Sequence, residues 1–203
     1  MLAIEPQPSL AAGLTRLMRS LRMPQVEVLE LAASDRAGSF AMHVPPSGTS
    51  PGATLVGGAH VPGDWVTREV RTVPLDELLR GERRRVGAVK IDVEGHEPAA
   101  LRGAEATILR DHPTIVFECE ERHLGAAHGG KSDESSEIGD VRGVIRWLDE
   151  RGYAVRLVTQ GGLIDAGSYR REVHQPSEGE RFWDRPDYCN NFIAVPRSAG
   201  GHR

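Results

Sequence analysis

Short apolar runs that end in an acid or a small polar residue recur along this chain, and helical patterns separate them. Leu2-Ala-Ile-Glu5, Val26-Glu-Val-Leu-Glu-Leu-Ala-Ala33, Val86-Gly-Ala-Val-Lys-Ile-Asp92, Thr114-Ile-Val-Phe-Glu118, Tyr153 to Thr159 and Asn191 to Val195 read as strands. Parallel strands need a crossover between them, most often a helix, so this alternation predicts an α/β fold with an open, mostly parallel sheet. Such sheets bind ligands beyond the carboxyl ends of their strands. That rule singles out Glu5, Ala33 to Asp35, Asp92 to Glu97 and Glu118.

The helices follow from spacing. Ser9 is placed to cap a helix with Leu10, Leu14, Leu17, Met18 and Leu21 on one face, closed by Pro24. A short helix is expected over 75–84 and a longer one over 97–110, with Leu101, Ala104 and Ile108 inward. Asp140 should cap a fourth helix, which ends at Gly152. Residues 38–44 and 65–73 alternate like an antiparallel pair around a Gly/Pro/Ser-rich loop at 45–63, and 125–139 reads as a flexible loop.

At 203 residues and a net charge of −4 the chain suits one domain, expected over 1–197 with a disordered tail at 198–203. That charge offers a polyanion no general field, so nucleic acid is not an expected partner. No apolar run approaches the ~20 residues that cross a bilayer. Cys119 and Cys189 lack both a disulfide framework and metal-ligand spacing, so they are expected to be reduced core residues of a cytoplasmic protein.

Chemistry concentrates in Lys90-Ile-Asp-Val-Glu-Gly-His-Glu97, where Asp92, Glu94, His96 and Glu97 meet a strand–helix junction and Gly95 permits a tight turn. Acids in a first turn also stabilise a helix by ~0.3–1 kcal/mol each, so spacing alone leaves a capping role and a catalytic role open. Carboxylates with a histidine suit a divalent ion as well, but no second cluster supplies further ligands, and no metal is expected. Glu5 could take the ribose hydroxyls of a nucleotide-type cofactor, a role that ordinarily follows a glycine-rich turn about 20 residues upstream. Four residues precede Glu5, and Gly48 to Gly63 does not run directly into a helix.

These residues also carry a family resemblance. Val89-Lys-Ile-Asp-Val-Glu-Gly-His-Glu-Pro-Ala-Ala-Leu-Arg-Gly-Ala-Glu105, with His112-Pro-Thr-Ile-Val-Phe-Glu118, resembles the signature block of the FkbM-type methyltransferases. Ile4-Glu-Pro-Gln-Pro8, Val28 to Asp35, Gly48 to Leu55, Val70 to Leu78 and Asn190 to Pro196 are similar to further segments, in the family's order. The resemblance implies a Rossmann-like class I methyltransferase fold with an antiparallel last strand, using S-adenosyl-L-methionine to methylate a hydroxyl of a sugar, glycolipid or natural product. It implies Glu5 at the ribose, Ala33 and Ser34 beside the adenine, and Asp92 with Glu94 toward the methyl group and the acceptor hydroxyl. It also makes Asp92, Glu94 or His96 the candidate base. The partner expected is a small-molecule or glycan acceptor; oligomeric state stays open. The family's first strand and glycine loop have no counterpart here, so the polypeptide is expected to begin upstream. Two other readings remain: an inactive remnant or interaction module of the same fold, and a metal-dependent hydrolase built on the acidic cluster.

Overall fold

The computed structural model describes residues 1–50, 52–56, 61–127, 138–176 and 184–197. The 198–203 tail and the 128–137 part of the expected loop lie outside the described residues. Among the described residues the strands form three sheets rather than one mostly parallel sheet. β1 (Leu2–Ile4) pairs in parallel with β2 (Glu27–Leu29), joined by α1 (Pro8–Ser20). β3 (Ala32–Ala33) runs parallel to β5 (Val66–Val73), which pairs antiparallel with β4 (Gly38–Val44) as expected. The third sheet has the order β6 (Ala88–Ile91), β7 (Thr114–Glu118), β10 (Asn191–Pro196), β8 (Tyr153–Thr159) and β9 (Gly162–Asp165). β6 and β7 are parallel, and β10 is antiparallel to both neighbours, as the resemblance implies for the last strand. β1 has no partner on the edge away from β2, and β6 none on the edge away from β7, among the described residues.

Several elements differ from the sequence reading. The run 26–33 is two strands: it turns at Glu30, where Leu31 N–H donates to Leu29 O at 3.0 Å, and so passes from β1 to β5 as its pairing partner. α1 begins at Pro8, the favoured first helical position, and Gln7 rather than Ser9 precedes it. Of this helix only Ala11 is buried, while Leu10, Leu17 and Leu21 are exposed. The helix expected over 75–84 stops after one turn, α2 (Leu75–Leu78). β9 extends β8 as a hairpin around Gln160-Gly161, and α5 (Glu121–Ala127) takes the start of the expected loop. α7 (Arg171–His174) adds one further turn.

The helix over 97–110 is interrupted. α3 (Glu97–Arg102) and α4 (Glu105–Asp111) meet at Gly103, and the break is held from outside the helix. Asp76 N–H donates to Gly103 O at 2.9 Å, and the Asp76 carboxylate accepts from Ala106 N–H and Thr107 N–H, both at 2.8 Å. A remote acid thus caps the second helix and meets N–H groups that have no partner within it. Asp76→Ala is expected to cost about 1–2 kcal/mol, read as a lower denaturation midpoint at unchanged slope.

The main core sits on the third sheet. α6 (Val141–Glu150), capped by Asp140 through Gly143 N–H at 2.6 Å, buries Val141, Val144, Trp147 and Leu148. They pack with Ile108, Ile115, Phe117, Tyr153 and Phe192, and the Phe117 and Phe192 rings stack at 5.1 Å. Gly152, at φ +85, ends that helix as expected. Cys119 and Cys189 are free and buried, and Met42, Val44, Val70 and Ala32 form a second, small core between β3, β4 and β5. No helix among the described residues is long and apolar enough to cross a membrane.

Candidate active site

Past Ile91 the chain leaves β6 and makes a β-turn over Val93–His96, closed by His96 N–H to Val93 O at 3.2 Å. Both central residues lie in the left-handed region, Glu94 at φ +50 and Gly95 at φ +94. For Gly95 this is easy; a Cβ there would also stand 2.8 Å from His123 Cβ on α5. For Glu94 it is a strained conformation, of the kind that persists where surrounding contacts over-determine it. One such contact is Thr54, whose hydroxyl donates to Glu94 O at 2.6 Å. Glu97 supplies two more, since its Oε1 accepts from Val93 N–H and Gly95 N–H, each at 3.2 Å.

The turn gathers carboxylates from neighbouring strand ends. Asp92 is exposed and lies 3.2 Å from Lys90 Nζ. Glu94 is mostly enclosed, with one oxygen 3.5 Å from His123 Nδ1. Beyond β7, Asn190 Nδ2 donates to Glu118 Oε1 at 2.9 Å and to Glu120 Oε1 at 3.1 Å, and Arg122 pairs with Glu120. Burial first, then the charges of Glu118, Asp92 and Glu120, raise Glu94 to about 7, with Arg122 opposing them. Burial and the charges of Asp92 and Glu120 also raise Glu118. Burial pushes Glu120 up too, but hydrogen bonds from Arg122 and Asn190 outweigh it and hold the group below its usual value. Among the described residues no group of three or more His, Cys, Asp or Glu side chains is arranged to hold a metal ion.

His96 faces a different neighbour. Its Nε2 lies 2.9 Å from Ser34 Oγ, and its ring meets Phe40 edge-on at 6.2 Å. Burial is the main reason that its pKa falls to about 4, which leaves a neutral imidazole at neutral pH. Ser34 is fully buried, its N–H donates to Val73 O at 3.1 Å, and its carbonyl abuts Gly103. Ala33 beside it is only partly buried. The structure therefore brings Ser34 and His96 together, with the His96 ring turned to Ser34 and Glu94 turned to the carboxylates.

Glu5 stands at the end of β1, its N–H donating to Leu29 O at 3.0 Å. Its Oε1 accepts from Gln7 N–H at 2.8 Å. Gln7 grips the backbone of Ser50 in both directions, Nε2 to Ser50 O and Ser50 N–H to Oε1, each at 3.0 Å. Ser50 leads to Thr54, which pairs with His43 and holds Glu94. A hydrogen-bonded trail thus connects the Glu5 end of β1 to the Asp92–Glu97 turn through the described part of the 45–63 loop. Sequence reading missed Gln7, Thr54, Glu120, Arg122, His123 and Asn190. The only local signal was the charged run Glu118-Cys-Glu-Glu-Arg122 after a strand. A cavity of about 590 Å³ lies elsewhere, between α1 and β2, lined by Thr15, Met18, Arg19, Met23 and Val28 among others, and it touches none of the candidate residues.

The chain is similar to the crystal structure of a methyltransferase FkbM from Methylobacillus flagellatus KT, with 16% sequence identity and a TM-score of 0.49. The similarity covers 96% of this chain and 36% of that one, so the chain spans little more than a third of that protein. No curated protein matches the chain. The family described as the Methyltransferase FkbM domain matches residues 1–155. Because that match takes in well over half of the 203 residues, and includes both Glu5 and the whole Asp92–Glu97 turn, the chain belongs to the FkbM methyltransferase family.

Proposed function

We propose that this domain serves transfer of a methyl group from S-adenosyl-L-methionine to a hydroxyl of a sugar, glycolipid or natural product, with Glu94 as the base. One observation carries the reading. Asp92 and Glu94 stand together where β6 ends, and burial with neighbouring carboxylates brings Glu94 to about 7. A group that is part-ionised near neutral pH can take a hydroxyl proton as the oxygen attacks. Bound, the cofactor supplies a methyl group already activated on a sulfonium. The chain's own residues align the acceptor, keep water out and receive the proton.

Glu5 suits the ribose. One of its oxygens is held by Gln7, and Oε2 makes no hydrogen bond among the described residues, so an acceptor remains at the end of β1. At the adenine it is Ala33, partly open, that suits a flat ring, since Ser34 is enclosed and engaged by His96. His96, neutral and tied to Ser34, steadies the turn rather than taking the proton. We read the two unpaired edges, of β1 and of β6, as the sides of a slot for one further parallel strand and its glycine-rich turn. Cysteines kept reduced fit a cytoplasmic setting.

Calorimetry with S-adenosyl-L-methionine tests this. The 203-residue chain alone is expected to bind more weakly than about 1 mM, and a fusion that places a strand and glycine-rich turn ahead of Met1 is expected to bind in the micromolar range. Glu5→Ala in that fusion should weaken binding about tenfold or more, the worth of a charge-assisted hydrogen bond. No binding by the fusion sinks the cofactor reading. The same open edges favour one rival, a non-catalytic remnant or interaction module, which micromolar binding would exclude.

A further inference from the structure

We propose that Glu97 is a positioning residue, whose buried carboxylate grips the left-handed turn and so fixes where the Asp92 and Glu94 carboxyl groups stand. The proposal rests on the reading of Asp92 and Glu94 as the reacting pair, but its test does not.

The geometry is that of a filled anion nest. Two successive residues with positive φ turn the Val93 and Gly95 N–H groups toward one point. Glu97 Oε1 occupies that point, at 3.2 Å from both nitrogens. Left to itself, a glutamate in the left-handed region costs about 1–2 kcal/mol, so the backbone at Glu94 needs holding. Glu97 holds it from the helix side, and Thr54 holds its carbonyl from the other. Release of either hold lets the turn relax to ordinary backbone angles, which would swing the Glu94 side chain away from Glu118, Glu120, Arg122 and His123.

Helix capping alone does not account for Glu97. A first-turn acid gains its modest dipole stabilisation while exposed, whereas Glu97 is 1% exposed and its Oε2 has no hydrogen-bond partner among the described residues. Buried orphan oxygens are rare in native proteins and call for a reason. The burial raises this carboxyl to about 7, against the pull of the backbone N–H groups that bond it. What such a costly placement produces is the shape of the turn, and the turn carries Glu94.

NMR on the 203-residue protein tests the assignment through two observables: exchange of the Val93 and Gly95 amide protons, and the titration midpoint of the Glu94 carboxyl carbon. Glu97→Gln keeps an oxygen for both N–H groups, so slow exchange and a midpoint near 7 should persist. Glu97→Leu removes it, so exchange should quicken about tenfold or more. The Glu94 midpoint should then fall toward the ordinary glutamate value of about 4.3. A folded Glu97→Leu protein with both observables unchanged overturns the proposal, as does a Glu97→Gln protein that loses them. Should Glu97→Leu not fold, the Glu97→Gln result decides alone: retention supports the grip and loss refutes it. Neither observable requires methyl transfer. A positive result combined with unaltered transfer in a Glu94 variant would count against the proposed function and leave the positioning role standing.

Discussion

Gly103→Ala is expected to leave no cooperatively folded protein at 25 °C. A Cβ at this position would lie 1.9 Å from Ser34 O, 2.8 Å from Ser34 C and 3.2 Å from Pro74 Cα. All three are backbone atoms, so no side chain can swing aside. Gly103 has an ordinary helical conformation, φ −70, and its requirement is close approach rather than an unusual angle. Backing α3 and α4 away would break the Asp76 N–H bond to Gly103 O and carry Asp76 off the start of α4. It would also part Ser34 from His96. The combined cost exceeds about 4–5 kcal/mol, much of the ~5–15 kcal/mol that stabilises a domain. Thermal unfolding followed by circular dichroism checks it. A cooperative melt within a few degrees of the parent protein would mean that the α3–α4 junction does not touch β3 in solution.

If the proposed function holds, Glu94→Gln in the fusion that carries a strand and glycine-rich turn ahead of Met1 should reduce methyl transfer by about 10²–10⁴-fold, with cofactor affinity unchanged. The pH profile gives the sharper test. Glu94 is raised to about 7, so below that value it carries a proton and cannot accept another, and the rate should climb with pH and level off above it. In Glu94→Gln that limb should vanish. Stability should respond in the opposite sense. With a folded pKa above the unfolded one, the native state binds more protons between about 4.3 and 7, so the contribution of Glu94 is present below that window and lost as pH rises through it. Glu97 acts in the same direction. His96, depressed to about 4, acts against both, and its contribution is lost as pH falls below about 6.5. A Glu94→Gln enzyme that keeps the parent rate and pH limb would show that the proton goes elsewhere, and Asp92→Ala would then identify the alternative.

How far the sequence revealed these features depended on whether their causes were local. β6 and β7 were legible as short runs rich in β-branched and apolar residues between helical patterns, although only Ile91 of β6 is buried and β7 alternates between buried and part-buried residues. Asp140 and Gly152 were legible because caps have short-range chemistry. The break at Glu30 was not, since nothing in Val26 to Ala33 tells that its halves pair with different strands. The α3–α4 break was half visible. A glycine inside a helical pattern often marks close packing, but Ser34 and Asp76 lie 69 and 27 positions from Gly103, and only folding brings them there. The same holds for the carboxylate group. Asp92 and Glu94 announced themselves by a dense run of acids at a strand end, while Asn190, which bridges Glu118 and Glu120, sits 70 or more positions away.

One consequence follows from how little of the first 31 residues is buried. Only Gln7 and Ala11 of that stretch are enclosed, and neither core includes a residue before Ala32. Apart from those two positions, substitutions there disturb no packed interior of this chain, so folding places few demands on Leu10, Leu17 or Leu21. Evolutionary drift in α1 should accordingly follow whatever lies against that helix, whereas from Ala32 onward the tolerance for change is set by the protein's own interior.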